Sequence, residues 1–477
     1  MNQDHKESKE LVNNTLIFGF GTVISKVIMF ILLPIYTIYL SKSELGEGEL
    51  VVNFMNLIYP ISTINIISAL LRYSMDEKVS SKKVLQNTFI VTLLGIIISS
   101  LLIFMFNINS SISNWKIYLC GLLLCYSIEQ IFSVFSKALN KIKEFAIGNI
   151  LYTLMLLCLT FVFLVIFKYK TSGYLLAIII SNIITAIYFF IRLNIKEYIT
   201  FDKIDKKLLK EMIVFSIPLI INSISWWITT FCDRFVIEQY LGTDAVGLYS
   251  VASKIPTIVS TIAAIFMQAW VLSAIKAYQK NKNYFFDAVF KKFSVLFLTW
   301  AAIIIAISKI LMSILVGSSF SSSFEFVPYL ICASIFAGFG NFFAALYTSA
   351  KKNTSIMITT IIGAIINIAL NFILIPKIGI QGAVYATMIS QIIVMVYRVV
   401  DSRRFIKFKL DLLRLLVVFS LIVIESYVVI SPNHYYLGFV IMFIVIVIYF
   451  NDLIRLAVFG KEYVKGVLKH VKKNKDK

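Results

Sequence analysis

SGYLLAIIISNII, Ser172 to Ile184, returns in altered form as QGAVYATMISQII, Gln381 to Ile393. The alignment superposes Gly173 on Gly382, Ala177 on Ala386 and Ser181 on Ser390, a small residue at every fourth position in both copies. On a helix that spacing keeps a narrow groove on one face, which lets helices approach closely in lipid. A second pair supports the first: Tyr39-Leu40 followed by Leu45-Gly46, and Tyr240-Leu241 followed by Val246-Gly247, share one internal spacing. Repeated helical bundles are a common construction of transporters.

Outward from these copies, nearly the whole chain is apolar text of membrane-spanning length. A hydrocarbon core of roughly 30 Å needs about 20 residues of helix. Fourteen stretches qualify, at approximately 14 to 37, 49 to 70, 87 to 106, 115 to 136, 147 to 167, 173 to 193, 211 to 235, 246 to 271, 291 to 314, 327 to 348, 355 to 375, 379 to 399, 412 to 430 and 436 to 457. Six helices separate the members of each repeated pair, so the repeat is parallel. The fold class is an all-α integral membrane protein of about fourteen spans. Its expected divisions are a first six-helix bundle (1–200), a second (201–405), two additional helices (406–458) and a basic tail (459–477).

With 59% hydrophobic residues and a mean hydropathy of +0.87, a water-soluble fold would expose more apolar surface than a monomer tolerates. The net charge of +20 does not point to nucleic acid, because about 36 of the 45 lysines and arginines fall in the two tails and in every second loop. By the positive-inside rule both termini are cytoplasmic, and the tail lies along the anionic inner leaflet. The charged amino terminus leads into a span too long for a cleavable signal, so the first helix is the expected targeting signal. Cys120, Cys125, Cys158, Cys232 and Cys332 lie in apolar runs without metal spacing and read as small core residues.

Catalytic chemistry has little room. His5, His434 and His470 are peripheral, so neither a histidine-based nucleophile nor a zinc site is expected, and no phosphate-binding loop is present. No catalytic residue, metal or cofactor is predicted. Glu44, Glu47 and Glu49, read as the first external loop, are the one acidic cluster that a membrane glycosyltransferase could use; a solvated loop is the simpler reading.

From Phe215 to Pro256 the text is FSIPLIINSISWWITTFCDRFVIEQYLGTDAVGLYSVASKIP, and later come Asn371-Phe372-Ile373-Leu374-Ile375-Pro376, Gly379 and Gly382-Ala383. These stretches resemble the polysaccharide-exporting branch of the multidrug/oligosaccharidyl-lipid/polysaccharide exporter superfamily, the flippases of lipid-linked repeat units. The similarity extends through about Arg404. It implies two six-helix bundles around a V-shaped central cavity that opens to one side of the membrane at a time, with spans 13 and 14 outside that core.

An ionisable group inside a span is a functional hypothesis by default. Thr15, Gly19, Thr22 and Lys26 form a polar stripe on span 1, with Lys26 too deep to snorkel. Span 7 carries Asn222, Trp226, Thr229 and Asp233 at the same spacing, with Arg234 beside them; Arg234 either faces a cavity or anchors at the interface. Lys254 on span 8 precedes Pro256, which permits a bend. Arg72 closes the cytoplasmic end of span 2. Asn367 and Asn371 share a face of span 11 suited to sugar or to helix packing. Asp233, Glu129 and Glu425 are candidates for ion coupling.

A polyprenyl diphosphate has a tail that favours lipid and a head that does not, and an isolated ion costs tens of kcal/mol to bury. Lys26, Arg72, Arg234, Lys254 and Asn222 would receive such a head in a wet chamber. The expected function is therefore a flippase for polyprenyl-diphosphate-linked oligosaccharide in a bacterial plasma membrane, with the bilayer, a coupling ion (H⁺ or Na⁺) and a polysaccharide polymerase as candidate partners. Rival readings are a flippase of lipid II, an ion-coupled multidrug exporter, and a polytopic glycosyltransferase or polymerase.

Overall fold

The computed structural model describes the chain apart from residues 1–24, Lys26, Glu77, 106–110, 200–203, 280–282, Lys351, Phe405, 407–410 and 474–477. The described residues form helices and turns, with no strand among them. In chain order the helices are α1 (Val27–Tyr39), α2 (Lys42–Ser62), α3 (Ile66–Ser74), α4 (Ser81–Met105), α5 (Lys116–Ala138), α6 (Ile142–Thr160), α7 (Lys170–Arg192), α8 (Lys206–Leu241) and α9 (Thr243–Ala252). They continue as α10 (Pro256–Gln279), α11 (Asn283–Leu315), α12 (Val327–Ser349), α13 (Asn353–Ile378), α14 (Ile380–Ser402), α15 (Leu412–Ile430) and α16 (Leu437–Lys473). Among the described residues eleven helices are long and apolar enough to cross a bilayer, and up to thirteen spans result when each of two bent pairs counts as one. The first expected span runs back from α1 into residues outside the described ones.

Spans 2 and 8 are not continuous. Span 2 breaks at Thr63–Asn65 into α2 and α3, bent by 58°. Ile64 and Asn65 stand there in the left-handed region at φ 52° and 50°, which a right-handed helix cannot absorb. Pro60 lacks an N–H one turn earlier, and its carbonyl accepts instead from Asn65 N–H at 3.0 Å. Span 8 is interrupted at Ser253–Ile255, immediately before Pro256. The sequence reading anticipated this second interruption, from Pro256, and not the first, although Pro60 stands one turn before it.

Contacts along the chain define two compact units, Met1–Val251 with Ser313–Ser321, and Ala252–Met312 with Ser322–Lys477. In the first unit α7 packs on α5 and α6, and in the second α14 packs on α12 and α13. The repeated small residues explain this. Ala177, Ser181, Ala386 and Ser390 are all buried, and their hydroxyls bond inward to Ala177 O (2.6 Å) and Thr387 O (2.8 Å). Gly173 lies against Phe163, Leu164 and Tyr169 at the end of the preceding helix, while a Cβ on Gly382 would fall 2.5 Å from the Leu374 backbone.

The other repeated pair meets directly, within the first unit. A Cβ on Gly46 would stand 2.0 Å from Thr243 O, and one on Gly247 would stand 2.2 Å from Lys42 O. Ser43 and Thr243 hydroxyls hydrogen-bond at 2.7 Å across the same crossing of α2 and α9.

Surface and core follow bilayer logic. Leu94, Ile98, Leu101 and Met105 on α4 are exposed, a row that suits acyl chains and not water. The second unit has an aromatic centre: Trp270 stacks on Phe342 with centroids 4.4 Å apart and donates Nε1–H to Phe342 O at 3.1 Å, and Phe293 stacks on Phe297 at 5.0 Å. Cys332 is buried there as expected, whereas Cys158 is exposed. At the start of α8, outside the span, Asp205 accepts Leu208 N–H at 3.1 Å, and this bond holds its carboxyl below the usual range.

Gly382→Ala should lower stability in detergent by about 1–3 kcal/mol, because its Cβ would strike main chain. Gly121→Ala, whose Cβ would meet only Ile179 Cδ1 at 3.4 Å, should be near neutral. Thermal melts of the two variants check the difference.

Candidate functional site

The structure separates the charged residues singled out in the sequence into distinct settings. Lys26 lies outside the described residues. Arg72 sits exposed in the last turn of α3. Asn222 and Trp226 are exposed on one face of α8. Lys254 is half-buried in the interruption between α9 and α10, where its carbonyl accepts Thr257 N–H at 3.2 Å.

Asp233 and Arg234 are buried and diverge by the roughly 100° of adjacent helix positions. Each finds a partner on α9, sixteen residues on. Tyr249 donates its hydroxyl to Asp233 Oδ2 at 2.6 Å, and Arg234 donates Nε–H to Ser250 Oγ at 3.1 Å. Arg234 Nη1 also donates to Thr230 O at 3.3 Å, and the guanidinium lies 5.5 Å from the Phe231 ring and 5.4 Å from the Tyr249 ring. The pair therefore fastens α8 to α9. Nearby, Trp227 Nε1–H donates to Asn53 O at 2.7 Å and ties α8 to α2.

Two further acids are buried alone on their helices. Glu129 on α5 accepts Gln130 Nε2–H at 2.9 Å and has no cation within ion-pair distance among the described residues. Glu425 on α15 is fully buried, and neither carboxyl oxygen has a hydrogen-bond partner among the described residues. Asn371 donates to Asn367 Oδ1 at 3.2 Å, and Asn367 donates to Thr387 Oγ1 at 3.4 Å, so this pair joins α13 to α14.

The acidic trio lies in helix and not in a loop. Ser41 and Glu44 form a capping box: Ser41 Oγ accepts Glu44 N–H at 3.2 Å and Glu44 Oε2 accepts Ser41 N–H at 2.8 Å. Glu44 also pairs with Lys170 at 3.0 Å, Glu47 accepts Trp115 Nε1–H at 3.1 Å, and Glu49 is buried and accepts the Tyr174 hydroxyl at 3.3 Å. All three carboxylates are committed to helix starts and neighbouring helices.

Arg398 falls inside the expected span 12 but was not singled out from the sequence, and it is buried on α14. Its Nε, Nη1 and Nη2 donate to Thr359 Oγ1 (3.0 Å), Gly340 O (3.1 Å) and Thr360 Oγ1 (3.0 Å), strapping α14 to α13 and α12. Its place before the end of span 12 was the only signal available.

Helices that repeat in packing as well as in text, with polar groups bonded between spans, define a polytopic helical membrane fold. The match to known proteins agrees. The family model described as polysaccharide biosynthesis protein covers residues 11–271, and the chain belongs to that family. Lipid II flippase MurJ in an inward closed conformation superposes with a TM-score of 0.69 at 19% identity, over 92% of this chain and 100% of that one. An inward-facing multidrug resistance MATE transporter of the MOP superfamily gives 0.66 at 13% identity, over 80% and 95%. Among curated relatives, an uncharacterized membrane protein of Methanocaldococcus jannaschii is 24% identical over 83% of this chain and 85% of its own length. The capsular polysaccharide biosynthesis protein CapF of Staphylococcus aureus is 25% identical over 39% of this chain and 48% of its own length.

Tyr249→Phe removes the hydroxyl that faces buried Asp233 and should cost about 1–3 kcal/mol of thermal stability. Tyr284→Phe, on an exposed side chain, serves as the control for the measurement.

Proposed function

We propose that this membrane protein is a flippase that moves polyprenyl-diphosphate-linked oligosaccharide from the cytoplasmic to the external leaflet of a bacterial plasma membrane by alternating access. Membership of the polysaccharide biosynthesis family, in a chain with a transporter fold, carries the reading. The helices form the repeated framework, and the substrate's tail stays in lipid while its charged head crosses. We assign head-group contact to Lys26, Arg72, Arg234, Lys254 and Asn222, with charge-assisted hydrogen bonds to diphosphate as the binding chemistry. The burial of the Arg234 guanidinium within its span and the position of Lys254 at a helix interruption support the assignment.

Each anionic charge leaving an inside-negative cell is favoured by about 2.3 kcal/mol per 100 mV, so the membrane potential drives export. Asp233, Glu129 and Glu425 are the carboxyls assigned to ion coupling, by H⁺ or Na⁺; burial of all three supports this, since a buried carboxyl changes its environment most when an ion binds or leaves. Both termini are assigned to the cytoplasm, with spans 13 and 14 outside two six-helix bundles and a polymerase as downstream partner. No cofactor enters the proposal. The lipid II reading stays second, supported by the superposition on MurJ.

Lys26→Ala and Lys254→Ala should insert normally and accumulate lipid-linked sugar on the cytoplasmic side, read by surface-glycan labelling and by extraction of the lipid-linked pool. Normal surface glycan in both variants would overturn the site. Glu44→Gln combined with Glu47→Gln should leave glycan display intact, because both carboxylates serve helix starts and packing. Complete loss of display at normal protein levels would favour an enzyme.

A further inference from the structure

In the second unit, a cleft of about 630 Å³ opens where α12 begins, α13 hands over to α14, and α15 ends. Its size falls within the range of small-molecule sites. These helix ends lie opposite the loops that carry the lysines and arginines, so by charge asymmetry the cleft faces outward.

Local structure assembles a particular set of side chains there. Gly379 takes φ +64° between α13 and α14, a conformation that favours glycine, and lets α14 start at once. Gln381 and Tyr385 then stand one turn apart on one face of α14. Tyr329, in the first turn of α12, meets Tyr385 edge-on with centroids 5.5 Å apart. Across the opening, Tyr427 in the last turn of α15 is 71% exposed, and Glu325 stands at the approach to α12.

Three properties narrow the ligand. Among the described residues no lysine or arginine lines the cleft, which disfavours a phosphate or another anion. The Gln381 amide and the Glu325 carboxylate have no hydrogen-bond partner among the described residues, so one donor–acceptor group and one acceptor face the space. An exposed phenol ring beside an oriented tyrosine pair offers a flat apolar surface with polar edges. A pyranose matches all three: its C–H face lies on an aromatic ring, its hydroxyls donate to carboxylate, and they exchange bonds in both directions with an amide. Tyrosines that only anchor a protein at the lipid interface need neither a cleft nor this carboxylate and amide.

We propose that the cleft is a binding site for a neutral saccharide, with Tyr427 as stacking platform and Gln381 and Glu325 as hydroxyl partners. It is separate from the residues assigned to the diphosphate head. The inference rests on the flippase reading only for the source of the sugar, which would be met on the side where the glycan is released.

The test uses the full chain purified into nanodiscs, with maltose, lactose and chitobiose as probes in saturation-transfer NMR. At least one disaccharide should bind in the millimolar range. Tyr427→Ala and Gln381→Ala should each weaken it about tenfold, equivalent to about 1.4 kcal/mol, whereas Tyr427→Phe should retain it. Melting curves of all variants confirm folding, and any variant that fails to fold is replaced by Gln381→Glu, which keeps the shape and removes the amide donors. Binding of none of the three sugars, binding indifferent to every substitution, or equal competition by glycerophosphoethanolamine would each overturn the site. Sugar binding in a protein whose Lys26 and Lys254 variants display glycan normally would sink the head-group assignment alone. Lysine-dependent display without sugar binding would sink only this cleft.

Discussion

Hydrocarbon offers no partner to a peptide N–H or C=O, and each such group left alone costs several kcal/mol. That constraint accounts for the uniform helicity of the described chain and for what happens where a helix stops. At the break in span 2 the Asn65 N–H turns back to Pro60 O, and the Thr63 hydroxyl donates to Tyr59 O at 2.8 Å, so the bend exposes little unsatisfied backbone. Many serine and threonine hydroxyls in the spans bond to a carbonyl of the preceding turn, as in Ser127 to Leu123 O at 2.6 Å and Thr185 to Ser181 O at 2.8 Å, and so cross the apolar region with a partner of their own.

Side-chain charge is handled by the same accounting, with unequal results. Arg398 is surrounded by three neutral acceptors on two other helices, which satisfies its geometry and makes it a strap. Asp233 and Arg234 are joined to neighbouring residues of α9, so any shift between α8 and α9 changes both environments together. Glu425 stands at the other extreme, buried with neither oxygen bonded among the described residues. A carboxyl so placed has much to gain from a proton or a change of surroundings, the property that motivates its assignment to coupling.

Much of this architecture could be read from periodicity. Segments of about twenty apolar residues located the spans, and small residues at every fourth place in Ser172–Ile184 and Gln381–Ile393 marked the faces that became buried. Pro256 marked one interruption because proline carries its reason in its own chemistry. The other, at Ile64 and Asn65, follows Pro60 by one turn and carries an asparagine, the kind of residue that enters the left-handed region readily, signals that the span reading did not weigh. Glu44 was misplaced into a loop although Ser41-Lys42-Ser43-Glu44 spells a helix start; charge density was weighed there and capping was not. Arg398, and the pairing of Glu49 with Tyr174, depend on which helices become neighbours, information that span-by-span reading does not contain.

The crossing of α2 and α9 bears on how such a chain can drift. What each of Gly46 and Gly247 meets is the main chain of the other segment, not a side chain. Replacement of a neighbour cannot make room, since every amino acid presents the same carbonyl at positions 42 and 243. Two sites 201 positions apart are thus barred from mutual compensation, unlike an ordinary packed pair in which a large residue can be traded for a small one.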